Sequence, residues 1–209
     1  MGLLTSLPLP QGKGSFRFSY TYPMPSSERV AIYIDGGNFY RRLRDAGLPK
    51  GSRFNYPGLI DYLLRGRTLI GKTYYIGIVR NHDHSAKSQT MVEDQQKFLS
   101  KVAAEGFEIK RGRIVYDHKI REKGVDVQIA IDLVVGAAED RYDIAVVVSS
   151  DTDLIPAIRY IKTRGKVVEY VGFSAQPSLG MARESSLSVL LLPDDIKRLT
   201  ITDSDRLAA

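Results

Sequence analysis

Residues 144–148 read IAVVV and residues 30–34 read VAIYI, two short runs that do not alternate apolar with polar side chains. A strand with one wet face alternates; a strand without that pattern needs cover on both faces, the condition met in parallel sheets with helices above and below. Helix-length segments stand where such cover requires them. NFYRRLRDAG places Phe39, Leu43 and Ala46 at helical spacing and stops at Gly47, and MVEDQQKFLSKVAAEG has Met91, Phe98 and Val102 on its expected inner face and ends at Gly106. VDVQIAIDLVVGAAE is apolar on most sides, DLIPAIRYIKTRG ends at Gly165, and YPGLIDYLLRG reads as a short helix. Further strands are predicted at 72–79, 107–116, 166–172 and 187–192, and NHDHSAKSQ as a polar loop. The predicted fold class is α/β, a mainly parallel sheet between helical layers.

At 209 residues the chain suits one domain, expected over 29–200. Residues 1–28, rich in Pro, Gly and Ser and without periodicity, read as a flexible N-terminal tail, and 201–209 as a C-terminal tail. Within the first, Phe16, Phe18, Tyr20 and Tyr22 alternate and suit an added edge strand or a docked segment. The segment lacks a basic start and a sustained apolar core, so it makes a poor signal peptide, and no run is long enough to cross a bilayer. The absence of cysteine excludes disulfides, thiolate nucleophiles and Cys-ligated zinc, and fits a reducing, cytoplasmic compartment. A formal charge of +6 makes an anionic partner worth testing. The cations are uneven: Arg41, Arg42 and Arg44 fall in one basic segment, Lys110, Arg111 and Arg113 in another, although a solvated basic face accounts for either equally well.

In an α/β sheet the place to look for chemistry is the carboxyl end of the strands, beside the point where strand order reverses. Asp35 follows the first apolar run directly, and Asp151 and Asp153 follow IAVVV in the stretch VVVSSDTDLIPAI. Asp126 opens the apolar helix. Four carboxylates brought together raise one another's pKa unless a cation neutralises them, and a hard divalent ion such as Mg²⁺ or Mn²⁺ does so with oxygen ligands alone. Each has a plainer reading. Asp126, Thr152 and Asp153 are credible helix caps, and Asp35, in IDGGN, suits an Asx-capped tight turn. Asp132 lies six residues beyond Asp126, turned away around the helix, and reads as an internal partner for a cation. His82 and His84, in a polar loop with no cysteine near, read as exposed residues, with substrate contact as the alternative.

The motifs YIDGGNFY, KGVDVQIAIDL and VVVSSDTDLIPAI, in that order, resemble the NYN domain, specifically its mostly bacterial LabA-like branch, within the PIN-like nuclease superfamily. The resemblance covers about residues 29–192. It implies a PIN-like three-layer α/β/α sandwich with an acidic, Mg²⁺- or Mn²⁺-dependent site that cleaves RNA. By position, Asp35 matches the first-strand aspartate and Asn38 the asparagine beside it, Asp126 the aspartate of the second motif, and Asp151 and Asp153 the pair of the third. Lys123 and Ser150 match flanking polar positions. Where the family commonly has Gly-Asp-Ser-Asp or Ser-Asp-Ser-Asp, this chain has Ser-Asp-Thr-Asp, which keeps both carboxylates.

The function expected on these grounds is metal-assisted hydrolysis of RNA, single-stranded, with Asp35, Asp126 and Asp151 holding one or two ions and Asp153 orienting water or adding a ligand. Arg41, Arg42, Arg44, Lys110, Arg111 and Arg113 would track phosphates. Two other functions compete. A regulatory module on the same fold would bind RNA or protein without cutting, and a nucleotide-sugar transferase would use the Asp-x-Asp of residues 151–153 but leave Asp35, Asn38 and Asp126 without a task. A homo-oligomer is compatible with the sequence; a membrane partner is not expected.

Overall fold

The structure, a computed structural model, describes residues 27–49, 52–116 and 120–201; residues 1–26 and 202–209 of the expected tails, with the aromatic residues of the first, lie outside these, as do the side chains of 115–122, while Ile201, expected to open the C-terminal tail, belongs to a strand. The elements run β1 (Arg29–Asp35), α1 (Gly36–Asp45), β2 (Arg53–Phe54), α2 (Tyr56–Leu64), β3 (Thr68–Ile78), α3 (Ala86–Ala104), β4 (Glu108–Tyr116) and β5 (Ile120–Lys123). They continue with α4 (Val125–Ala138), β6 (Ile144–Val148), a 3₁₀ turn (Thr152–Leu154), α5 (Ile155–Thr163), β7 (Val167–Phe173), α6 (Leu179–Glu184), β8 (Leu187–Leu191), α7 (Pro193–Arg198) and β9 (Thr200–Ile201). Seven strands form one sheet in the order β5-β4-β3-β1-β6-β7-β8. All its pairs are parallel except β4 with β5.

The unpatterned runs are explained by the layers. In β1, Val30, Ile32 and Ile34 enter one core with Phe39 and Leu43 of α1, Leu59 and Leu63 of α2, and Leu99 and Val102 of α3. Ala31 and Tyr33 enter a second core on the other face, with Ile129 and Leu133 of α4 and Ile158 and Ile161 of α5. β6 divides the same way, Val146 and Val148 to the first core and Ala145 and Val147 to the second. The molecule is therefore the expected mixed α/β sandwich with a mostly parallel central sheet. Among the described residues no helix is long and apolar enough to cross a membrane.

Several expectations are corrected. α3 starts at Ala86, capped by the Ser85 hydroxyl, so the second half of the predicted polar loop is helix. Met91 is not on the inner face of α3; it is 47% exposed, and Leu99 takes the buried place. The polar stretch Ile120–Lys123 is an antiparallel edge strand, and β2 pairs with β9 in a small separate sheet.

Candidate acidic site

β1 hands the chain to β3 on one side, while β6 lies against its other side, so strand order reverses between β1 and β6. Their last paired residues are Ile34 and Val148. The segments leaving these two strands therefore share one end of the sheet, at the position where α/β folds place ligands.

Asp35 ends β1 on the α4 side of the sheet and is 4% exposed. Its Oδ1 accepts from the Asn38 backbone N–H (3.0 Å), capping α1, and its Oδ2 accepts from the Ser149 hydroxyl (2.9 Å). Close approach explains the glycine after it: a Cβ on Gly36 would stand 2.3 Å from Tyr74 Cε1. Asn38 reaches the other strand end, its Oδ1 accepting from Ser150 N–H (3.1 Å). The Ser149 hydroxyl, itself buried, accepts from Asp151 N–H (3.1 Å), so one serine joins the Asp35 carboxylate to the backbone that carries Asp151.

Asp151 caps the 3₁₀ turn, its Oδ1 accepting from Asp153 N–H (2.9 Å). Asp153 lies in that first turn and is exposed. Asp126 sits in the first turn of α4, behind a left-handed Gly124 (φ 86°) that supplies no side-chain cap. The capping expectations are thus redistributed. Asp126, Thr152 and Asp153 are not the caps; Asp35 and Asp151 are.

The four carboxylates act on one another electrostatically. Burial raises the Asp126 carboxyl to about 6, and the charges of Asp35, Asp151 and Asp153 push the same way. Asp35 is raised chiefly by burial, opposed by the Asn38 and Ser149 hydrogen bonds, with Asp151 adding to the rise and Arg41 easing it. Among the described residues no three acidic or histidine side chains close on a single point as a finished metal cage. The set is four mutually repelling carboxylates within electrostatic reach, with the carboxylates of Asp126 and Asp153 and the second oxygen of Asp151 taking no part in capping. That hard, all-oxygen donor set fits a divalent ion that keeps part of its own hydration.

A carboxyl raised on folding destabilises the protein when charged, and protonation removes that cost. Stability without added metal should therefore rise as pH falls from above 6 toward the ordinary carboxyl value near 4, by about 1 kcal/mol after solvent screening. Asp126→Asn should flatten that rise. Parallel melts across this window check it, and an unchanged difference between wild type and variant at every pH would remove the repulsion from the account.

The other expected site residues are scattered. Ser150 turns away from the carboxylates, its hydroxyl 3.4 Å from the Tyr170 hydroxyl. Asp132 accepts from Lys110 Nζ (2.8 Å), Tyr75 OH (2.7 Å) and Gln128 Nε2 (3.1 Å), which commits Lys110 to an ion pair. Arg44 donates to Leu48 O at its own helix end, and Arg42 to Gln176 Oε1. Arg41, Arg111, Arg113 and Lys123 are exposed. Arg113 stands directly across from Lys123 in the β4–β5 hairpin, a like-charge pairing that costs stability unless an anion is shared. His82, Asp83 and His84 are all exposed. Ser149 was missed by motif matching. Its signal was parity: it continues the inward alternation of Ala145 and Val147, which makes it a polar residue at a buried position beside Asp35.

Among curated proteins no match was found. Among solved structures, a Vibrio parahaemolyticus protein of unknown function superposes with a TM-score of 0.64 at 21% identity, over 86% of this chain and 100% of that one, a likeness of fold. The NYN domain model matches residues 29–188, the span that holds most of both cores, the strand-order reversal and all four aspartates. The chain belongs to the NYN domain family, within the PIN-like nuclease superfamily.

Proposed function

We propose that the protein is a divalent-metal-dependent ribonuclease of the LabA-like branch, its NYN domain spanning residues 29–200. The observation that carries this reading is Asp126. It neither caps its helix nor pairs with a cation among the described residues, yet it stands half-buried where three other carboxylates act on it. A first-turn acid suits the helix dipole, but that effect gives no reason to set it among three other carboxylates, whereas an ion held by Asp35, Asp126, Asp151 and Asp153 would.

Bound Mg²⁺ or Mn²⁺ supplies Lewis-acid stabilisation of the charge that grows on the phosphate, and activation of water. The chain supplies the rest. Ser149 and the Asn38 N–H fix both oxygens of Asp35, so its carboxylate is oriented before substrate arrives. Asp126, in the first turn of α4, would add its carboxylate to the same ion, whose charge offsets the repulsion from its acidic neighbours. Arg41 on one side, and Arg111, Arg113 and Lys123 on the hairpin that leads to Asp126, provide cations for an unpaired strand's phosphates. A regulatory role without cleavage is the second reading, favoured by the capping duties that Asp35 and Asp151 already carry.

Metal should stabilise the fold. An ion that binds only the native state adds RT ln(1 + [L]/Kd), about 2.7 kcal/mol at one hundred times Kd. Asp35→Asn and Asp151→Asn should each raise metal-free stability slightly, by relieving repulsion, and shrink the gain from Mn²⁺. Thermal melts with chelator and with Mn²⁺ read both effects. No gain for wild type, with Mn²⁺ shown to be free, would leave the carboxylates as structural groups only.

A further inference from the structure

On the α4 side of the sheet, running from Tyr75, the partner of Asp35 in the β1–β3 register, down past Tyr33, lies a half-open cavity of about 160 Å³. One glycine leaves it open and a second lets the tyrosines of its wall pack close. Gly71 of β3 lines it, and a Cβ there would meet nothing within 4 Å. Gly136 of α4 stands over the tyrosines, where a Cβ would lie 2.6 Å from Tyr142 Cε1 and 3.3 Å from the Tyr33 hydroxyl. The β1–β3 register slips at this level, between Val30 and Ala31, leaving Ile70 as an extra residue at the mouth, 44% exposed. Bulges of this kind are common beside functional sites.

The chemistry of the wall narrows the ligand. Tyr33 is 8% exposed, and no hydrogen bond from its hydroxyl to another described residue is seen, which leaves that hydroxyl available to a ligand in the cavity. The neighbouring Tyr75 ring lies within 20° of parallel, centroids 6.4 Å apart, and its hydroxyl is committed to Asp132. The charges are already matched: Lys110 by Asp132 at 2.8 Å and Glu108 at 3.7 Å, and Arg141 by Glu139. No cation is left over for a phosphate among the described residues of the wall. A cavity of about 150 Å³ accepts a single six-membered aromatic ring.

We infer that this cavity binds one pyrimidine base: a neutral planar six-membered ring whose polar edge meets the Tyr33 hydroxyl. The base comes either from a nucleotide of bound RNA or from a free base. So small a ligand should bind with a Kd on the order of 1 mM.

Calorimetric titration of the full chain, without metal, with the one-ring bases uracil, cytosine and thymine tests this. One-to-one binding of at least one base is expected. Gly71→Val, which fills the cavity from an unstrained wall position, should abolish it, and Tyr33→Phe should weaken it about fivefold. Failure of every base to bind wild type at about ten times that concentration, or unchanged affinity in both variants, would overturn the inference. If Gly71→Val does not fold, the Tyr33→Phe result decides alone. A short RNA added in chelator displaces the base where the cavity is a substrate subsite, and leaves it bound where a free base is the ligand; either result keeps the site and assigns its source. Because no metal is present, failure here leaves the nuclease reading to its own test.

Discussion

Asp151→Asn should lower Mn²⁺-dependent cleavage of unstructured RNA by roughly a hundredfold or more while the protein remains folded. The substitution separates the two tasks of this side chain. Asp151 Oδ1 caps the 3₁₀ turn through Asp153 N–H, and an asparagine oxygen caps about as well as an aspartate one. The backbone N–H of residue 151 keeps its bond to the Ser149 hydroxyl whatever the side chain. What is lost is a formal charge beside Asp35 and Asp126, whose pKa values it helps to raise. A capping residue alone predicts full activity in the variant, and a metal ligand predicts near-complete loss at unchanged secondary structure. Asp151→Ser, which also caps but brings no charge, should behave alike. Cleavage at the wild-type rate in either variant would end the catalytic assignment and leave the regulatory reading.

The sequence shows strand ends better than it shows contacts between elements. Asp35 and Asp151 were legible because each ends an unpatterned apolar run, and the reversal of strand order brings such ends together. The capping assignment was not legible, because Asp151 and Asp153 are both plausible from spacing and only backbone geometry chooses the first. The pairing of Lys110 with Asp132 joins a strand to a helix 22 residues later and has no local signature, so Lys110 reads as a free cation until the fold is known. β5 is hidden for another reason. It is four residues long and its sequence, IREK, is mostly charged, so it has no apolar run to mark it and reads as loop. β2 and β9 have two residues each, too few to leave any period.

Glu169→Gln should destabilise the protein by about 3–5 kcal/mol, a large part of a typical domain's total. Glu169 is the single acid in the buried strand β7, and its side chain is 3% exposed. It receives a bidentate pair from Arg67, Nη1 to Oε1 at 2.6 Å and Nη2 to Oε2 at 3.0 Å, and a further bond from Arg65 at 2.5 Å. The Arg67 side chain is 1% exposed and spends its other donors on Leu63 O (2.7 Å) and Leu64 O (2.9 Å), closing the end of α2. The pair joins the α2–β3 turn to β7, which lie on opposite sides of β1 and β6, the strands that carry Asp35 and Asp151. Glutamine keeps the shape but leaves the guanidinium buried without its counter-charge, and that uncompensated cation is the cost. Removing both charges is a different experiment: Arg67→Met with Glu169→Leu should recover much of the loss, because apolar pairs of similar volume avoid desolvation altogether. Denaturant titration with a constant m-value reads both changes. A Glu169→Gln loss below about 1 kcal/mol would mean that water reaches the pair and that the lock across the two site-bearing strands is weaker than its burial implies.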